Sequence, residues 1–465
     1  MILNHFGVLF PNVKSFSYNV KHYQRQKGAV RFRCRPERDY TMSEPSRDWS
    51  IERAVEDMTA IGAFGPGRGF VSFTLDNRHT GQDQFASVVL YGTVTLRDEP
   101  DGLRSHQLVI KLKHRTPEMI ALCTNDAQFH NEKLFYERIK PFLLDCAQGQ
   151  DRLPSLCRYF YGRNECGDQA FRDAIVLENE CPRGYRCMSG DRKFMDFDHL
   201  VVALRTLAKF HGLSYRAKHK ASDEFADMVA DVKDTHWKDD GSYALPFQVI
   251  ESLISVCLDR MEERHGGDGR TSRFRAKLSG CGAERLLRTV LVPREPLAVL
   301  CHGDFNVNNL LFRYDDHGTP VDALVMDVAD VRYVSPAFDL SFFLYMNTDR
   351  GTREAHWDAL LDEYCAALSE CVADVVDVVR VPDRGQVDAE MRRLAFYALV
   401  RVSFFMRVMC IERTAFDDVM SFVHKDVEEI TRVMLSFGGD RATDLIADVV
   451  QHIFDIGAAE TVDEL

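Results

Sequence analysis

The chain predicts an α+β protein of two lobes, a small antiparallel β lobe followed by a larger, mostly helical lobe with a polar hairpin at its edge. Strand-like runs rich in β-branched and aromatic residues cluster in roughly the first 180 residues, separated by turn residues. From about Asp196 the apolar spacing becomes helical. One later pair of strand-like runs, LLFRY and PVDALVM, flanks the turn DDHG directly after the polar segment HGDFNVNN.

In order along the chain, Asp48 or Ser50 can cap a helix that runs to about Ala60, where GAFGPGRGF breaks it. GPGRG lacks the following GK[ST] of a phosphate-binding P-loop and reads as the turn entering a strand. FVSFTLDN, FASVVLYGTVTL and HQLVIKLKH then predict three successive antiparallel strands. TPEMIALCTNDAQFHNEKLFYERIKPFLLD has helical period, with Phe129, Leu134, Phe135 and Ile139 near one face. CRYFYG and FRDAIVLENE close the first lobe as two short strands. Its expected extent is 42–180, and 181–465 is the helical lobe.

That lobe opens with FDHLVVALRTLAKFHGLSYRAK and continues through FQVIESLISVCLDRMEE to an exposed turn, GGDGRT. PLAVLCHGDF delivers the polar cluster from an apolar strand or buried turn. After Pro336 nearly every segment is helical.

Charge and cysteine usage exclude several classes. Lys and Arg number 58 against 71 Asp and Glu, a net charge of -13 that repels nucleic acid and anionic membrane surfaces. No run reaches the roughly 18 uncharged apolar residues a membrane span needs. Thirteen dispersed cysteines fit a reduced, cytoplasmic protein. Cys157, Cys166, Cys181 and Cys187 contain no CxxC pair and read as ordinary thiols rather than a zinc site. Residues 1–41 are basic, through Lys14, Lys21, Arg25, Lys27, Arg31, Arg33, Arg35 and Arg38, against an acidic remainder. They read as a disordered or spurious extension with Met42 as the working start, a targeting presequence being the second reading.

The chemistry concentrates at 302–327. Asp304 and Asn309 stand five apart, and Asp327 follows 18 residues later at the end of the hairpin. Phosphoryl transfer needs a carboxylate to receive or orient the attacking hydroxyl, and a further carboxylate and amide to hold Mg²⁺ against ATP phosphates. A tight loop bearing Asp304 and Asn309, closed by a hairpin bearing Asp327, can supply all three. Lys111, in the apolar strand LVIKLK, needs a partner to be tolerated inside, and Glu132 on the following helix can supply it. That pair would reach the α and β phosphates. Lys113 shares the face of Lys111 by strand parity and competes for the role. GQDQFAS lies where a phosphate-covering turn belongs and offers Gly81 and Ser87. Backbone groups around Glu178, Asn179 and Glu180 would meet the adenine edge where AIVLENE ends the first lobe.

His211 and His302 read as organisers of the catalytic loop, and Asp339 as a helix cap that also braces it. AFYALVRVSFFMRV is open to two readings, plain core, which is preferred, and acceptor-pocket wall.

These segments together resemble the ecdysteroid kinase-like family, also described as choline-kinase-like, within the aminoglycoside and choline phosphotransferase group. The resemblance runs from about residue 50 to at least 430 and rests on GQDQFAS, Lys111, NEKLFY, VLENE, LAKFH, HGDFNVNN, FRYDDHGTPVDALVMD and SPAFDL, in order. It implies a bilobal protein-kinase-like fold and Mg-ATP-dependent transfer to a hydroxyl of a small molecule, with Asp304 as the base, Asn309 and Asp327 on the metal, and steroid hormones and their conjugates among the family's acceptors. Four positions depart from the pattern: Asn306 where tryptophan is usual, Val328 and Ala329 after Asp327 in place of the usual FQ, and Gln84 where asparagine is common. None removes an expected phosphate, metal or base residue. A catalytically weak kinase-fold protein that binds a small lipophilic ligand or a partner is the alternative. A protein kinase is disfavoured, since neither an HRD loop nor an APE segment is present.

Overall fold

The computed structural model describes residues 50–76, 87–98, 102–114, 117–147, 153–165, 167, 169–188, 194–238, 240–243, 245–267, 269–375, 379–411 and 426–461. The readings made for residues 1–41, Asp48, Gly81, Gln84 and Cys166 lie outside them.

Ser50 starts the first helix, Ile51–Ala60, its hydroxyl accepting the Arg53 N–H at 3.2 Å. The strands are β1 Arg68–Leu75, β2 Val88–Asp98, β3 Gly102–Leu112, β4 Ser155–Leu156, β5 Tyr159–Arg163, β6 Ala174–Glu178, β7 Val299–Cys301, β8 Leu310–Tyr314, β9 Pro320–Val325 and β10 Arg332–Val334. Five of them form one antiparallel sheet in the order β1-β2-β3-β6-β5. Alternation places Leu108, Ile110, Leu112 and Val176 against Val55 and Met58 of the first helix. Val109, Ile175 and Leu177 turn the other way, toward Phe129, Phe135 and Phe210. Lys111 shares this second face by parity, so its chain points at the helices that join the two lobes.

The helical segment after β3 is interrupted twice. Thr124 sits at φ 50 between Pro117–Leu122 and Asn125–Leu134. Phe135–Ile139 forms a π-helical turn before Lys140–Ala147. Pro141 accounts for the second break: it lacks an N–H and its ring would strike the preceding turn, and the wider π turn relieves both problems. Phe135 then stacks on Phe210 of the long helix Phe197–Lys220, 5.8 Å between ring centres. Truncating Phe210 to alanine would cost about 3–5 kcal/mol.

The second lobe packs helices around one large core containing Leu204, Ile254, Phe338, Tyr364 and Leu399. Its hairpin β8–β9 turns through Asp315, whose carboxylate accepts the N–H groups of His317 and Thr319, each at 2.9 Å, while Gly318 takes φ +82. Two pairings escape a reading of the sequence because their partners are distant along the chain. The short strand β4 pairs in parallel with β9, and β10 pairs antiparallel with β7. The second pairing sets the strand leaving Asp327 beside the strand entering Asp304. Among the described residues no helix is long and apolar enough to cross a membrane.

Candidate active site

Lys111 lies beyond the buried middle of β3, opposite Val89 on β2 and Ile175 on β6. Its ammonium donates to both Glu132 carboxylate oxygens, at 2.7 and 3.0 Å, and to Asp327 Oδ1 at 2.5 Å. Burial opposes the lysine charge, but Asp327 and Glu132 outweigh it and hold the ammonium above its ordinary pKa. Burial pushes the Glu132 carboxyl up, with Lys111 offsetting only part of the effect. For Asp327 the attraction of Lys111 prevails over burial and keeps the carboxylate ionised. Lys113 is buried too, but reaches Asp126 at 2.5 Å and Asp173 at 3.0 Å. Both lysines meet the same helix from the same strand face, and only Lys111 arrives where the second lobe approaches.

The loop after β7 is fixed from several sides. Gly303 takes φ +90, and a Cβ there would lie 1.8 Å from the Asp330 carbonyl oxygen, so only glycine fits. The Asp339 carboxylate accepts the N–H of His302 at 2.6 Å and of Gly303 at 2.9 Å. His211 Nε2 meets the same carboxylate at 3.1 Å, while its Nδ1 meets the Tyr364 hydroxyl at 2.8 Å. Asp339 therefore braces the loop but does not cap its own helix, Ala337–Asn347, as the sequence suggested. That helix begins at Pro336 without a side-chain cap, and Ser335 Oγ accepts the Ala337 N–H at 3.3 Å.

His302 donates through Nε2 to the Met326 carbonyl at 2.9 Å and accepts the Asp304 N–H on Nδ1 at 3.2 Å, so both ring nitrogens hold the two loops together. Asn347 Oδ1 accepts the Val307 N–H at 3.1 Å. Asn306 folds inward, accepting the Asn308 N–H at 2.9 Å and donating to the Asp304 carbonyl at 3.0 Å. A polar, self-bonded turn thus stands where the resemblance led to an aromatic ring. Val328 packs in the interlobe core, and the Ala329 carbonyl accepts Asn131 Nδ2 at 3.2 Å.

These restraints bring Asp304 and Asn309 together. Asn309 Nδ2 donates to the Asp304 carbonyl at 2.7 Å and to its carboxylate Oδ2 at 2.9 Å. Asp304 Oδ1 and Asn309 Oδ1 are buried and, among the described residues, have no hydrogen-bond partner. Burial raises the Asp304 carboxyl to about 6, against the attraction of Arg401 at 3.5 Å. Met326 N–H donates to the Asn309 carbonyl at 3.1 Å, which seats Asp327 beside this loop. Asp327 takes a left-handed φ of 63, a conformation uncommon outside glycine and asparagine or aspartate. Asp330 accepts Gln128 Nε2 at 3.3 Å. The site thus sets Lys111 and Arg401 against Glu132, Asp304, Asp327 and Asp330, an excess of negative charge. With the unbonded Asn309 Oδ1, that excess fits a hard divalent cation. His211, Cys301 and Asp339 also lie close together, but burial holds the Cys301 thiol well above its ordinary pKa, and it faces backbone carbonyls at 3.4 and 3.8 Å. That trio is bracing.

The remaining expected contacts are less direct. Ser87 is buried just before β2, at the same end of the sheet as Lys111. The N–H groups of Glu178 and Asn179 already donate to the Arg158 and Gln107 carbonyls, both at 2.8 Å. Glu178 binds His106 at 2.9 Å, and Asn179 Oδ1 accepts the Cys181 N–H at 3.1 Å. The buried Glu180 carboxylate accepts Arg158 N–H at 3.0 Å and an Arg183 guanidinium N–H at 2.9 Å. These residues shape the interlobe connection through bonds within the chain.

Reading the sequence missed Arg401, Tyr397 and His236, which crowd the Asp304 side of the site. A signal existed for Arg401, a charged residue inside the apolar run AFYALVRVSFFMRV. Most of that run is core, through Phe396, Leu399 and Val400.

The architecture is that of a two-lobed, kinase-like α+β protein. A profile of the ecdysteroid kinase-like family matches residues 81–376, well over half of the chain. The chain belongs to that family. No curated protein matches it. Solved structures similar to it include an ethanolamine kinase from Plasmodium vivax (11% identity, 78% of this chain and 81% of that one, TM-score 0.34). A microcompartment-associated aminopropanol kinase aligns at 13% identity over 83% of this chain and 94% of its own, TM-score 0.38. Amicoumacin kinase hAmiN in complex with AMP-PNP, Ca²⁺ and Ami aligns at 13% identity over 78% and 88%, TM-score 0.36. At these TM-scores none of the three bears on this chain's acceptor or nucleotide.

Proposed function

We propose that the protein phosphorylates a hydroxyl of a small molecule with Mg-ATP, residues 42–180 serving as the nucleotide lobe and 181–465 as the catalytic and acceptor lobe. The observation that carries this reading is that two buried oxygens, Asp304 Oδ1 and Asn309 Oδ1, accept no hydrogen bond among the described residues, in a loop tied through Met326 to the Lys111–Glu132–Asp327 cluster. When bound, a divalent ion supplies charge neutralisation at the transferring phosphoryl group. Asn309 and Asp327 would hold it. Lys111, fixed by Glu132, would hold the α and β phosphates, with Ser87 nearby and the 178–180 connection at the adenine.

Asp304 is suited to the acceptor. Its Oδ1 receives the hydroxyl proton as the acceptor oxygen bonds to the γ-phosphorus and the bond to the β-phosphate oxygen breaks, releasing ADP. Family membership supports a small alcohol as acceptor, and an ecdysteroid or related sterol alcohol is the first class to try. The test is transfer of labelled γ-phosphate from Mg-ATP into mixed small alcohols and sterols by wild type and D304N. We expect a labelled product from wild type alone. Equal labelling by a folded D304N would remove Asp304 from the mechanism, and failure of wild type to bind Mg-ATP would remove the kinase reading.

A further inference from the structure

On the Asp304 side, away from Lys111, lies a second set of buried polar atoms that the phosphoryl-transfer machinery does not use. Arg401, on the helix Arg384–Met409, reaches within 3.5 Å of Asp304 Oδ1 and lies over the rings of Phe342 and Phe405, 5.0 and 4.3 Å from their centres. Its Nε has no hydrogen-bond partner. Tyr397, one turn earlier, is fully buried, stacks on Phe338 at 4.1 Å, and leaves its hydroxyl without a partner. His236 closes the cluster, 96% buried and with Nε2 unpartnered, its ring 6.3 Å from that of Tyr397. Burial and the nearby Arg401 and Arg332 charges hold this imidazole neutral. Buried polar atoms are almost always bonded, so three unbonded ones on neighbouring side chains, one of them reaching Asp304, mark a place for a polar ligand.

The types of these groups set what that ligand can be. A guanidinium only donates and stays charged, a phenol donates or accepts, and a neutral imidazole offers one of each. An ammonium group on the acceptor would face Arg401 at close range. The neighbouring carboxylates offer it little: Asp304 already faces Arg401, Asp234 pairs with Arg332 at 2.9 Å, Asp330 accepts Gln128, and Asp339 holds the loop. Aromatic faces could bind a cation, but those of Phe342 and Phe405 are covered by Arg401, which also hydrogen-bonds Tyr243; Arg288 lies over Trp237 at 3.5 Å, and Tyr397 is stacked on Phe338.

We propose that Arg401, with Tyr397 and His236, selects the acceptor: an uncharged or anionic alcohol with a second oxygen beside the reacting hydroxyl is taken, and an amino alcohol is rejected. This rests on the phosphotransferase reading for the identity of the ligand as acceptor. The bonding pattern is a donated N–H from Arg401 to that second oxygen, with Tyr397 and His236 completing its shell.

Three matched probes test it in the full chain: cyclohexane-1,2-diol, 2-hydroxycyclohexane carboxylate and 2-aminocyclohexanol. Each is followed by labelled phosphate transfer from Mg-ATP and, separately, by calorimetric binding. Wild type should prefer the diol and the hydroxy acid over the amino alcohol by at least about tenfold in both readouts. R401Q should narrow that preference to within about threefold, R401K should retain it, and Y397F, which keeps the ring stack, should weaken the diol without admitting the amine. Equal or better binding of the amino alcohol by wild type, an unchanged preference in folded R401Q, or binding of none of the probes would overturn the proposal. A binding preference that R401Q removes, without transfer to any probe, would uphold the selector and count against the kinase reading alone.

Discussion

Lys111 and Asp327, 216 residues apart, meet at 2.5 Å across the two lobes, and Glu132 holds the same ammonium from the other side. An expected phosphate ligand is thus held by an expected metal ligand, and binding of Mg-ATP must share or exchange that contact. K111M should lower kcat/KM for ATP on the order of 10²-fold. K113M should leave the kinetics of the folded enzyme close to wild type but lower stability by about 1–3 kcal/mol, because it removes the nearest cation from the buried Asp173 carboxylate, which keeps the Glu165 N–H and Arg163. Steady-state kinetics with denaturant unfolding separate the two, and the opposite pattern would reverse the assignment of the lysines.

Asp304 must be ionised to take a proton, and burial raises its carboxyl to about 6. The activity of wild type should therefore fall as pH drops through about 6, with a slope of one. Stability runs the other way. The folded pKa lies above the ordinary carboxylate value, so between about pH 4 and 6 the folded chain keeps a proton that the unfolded chain has released. The contribution of this group is present at low pH and is lost as pH rises through 6. At pH 7.5, D304N should be roughly 2–3 kcal/mol more stable than wild type while losing on the order of 10²–10⁴ in turnover. Thermal unfolding across pH checks the sign.

Asp327 occupies a left-handed conformation that asparagine also tolerates. D327N therefore removes the charge without removing the backbone geometry. Its apparent affinity for the activating divalent ion should fall about tenfold or more, with the helical signal unchanged. A metal titration of activity reads this directly, and an unaltered metal requirement would take Asp327 out of the metal site.

Gly303 and Gly318 both have positive φ, but only Gly303 is crowded, by the Asp330 backbone. G318A should cost about 1 kcal/mol, the strain of the conformation alone. G303A must displace the backbone joining the two catalytic loops, and should cost more than about 3 kcal/mol and most of the activity. Similar unfolding midpoints for the two variants would show that the loops can separate without loss.

The lobes and the residues of the cluster are legible in the linear sequence because their signals are local. Strand alternation marks β1 to β3, helical period marks the second lobe, and Asp304, Asn309 and Asp327 stand within one loop and hairpin. The sequence by itself therefore determined the α+β class and the need of Lys111 for a carboxylate, and it supplied Asp304, Asn309 and Asp327 as candidates for base and metal ligands. It favoured Lys111 over Lys113, but it placed both on one strand face, because a period of two cannot show which lysine the second lobe will meet. Only the tertiary structure decided that, together with the bracing of the loop by Asp339, the internal bonding of Glu178 and Asn179, and the arrival of Arg401 and His236 beside Asp304. Those relationships join segments tens to hundreds of residues apart. Their energies depend on burial and on the nearest charge, which exist only once the chain has closed.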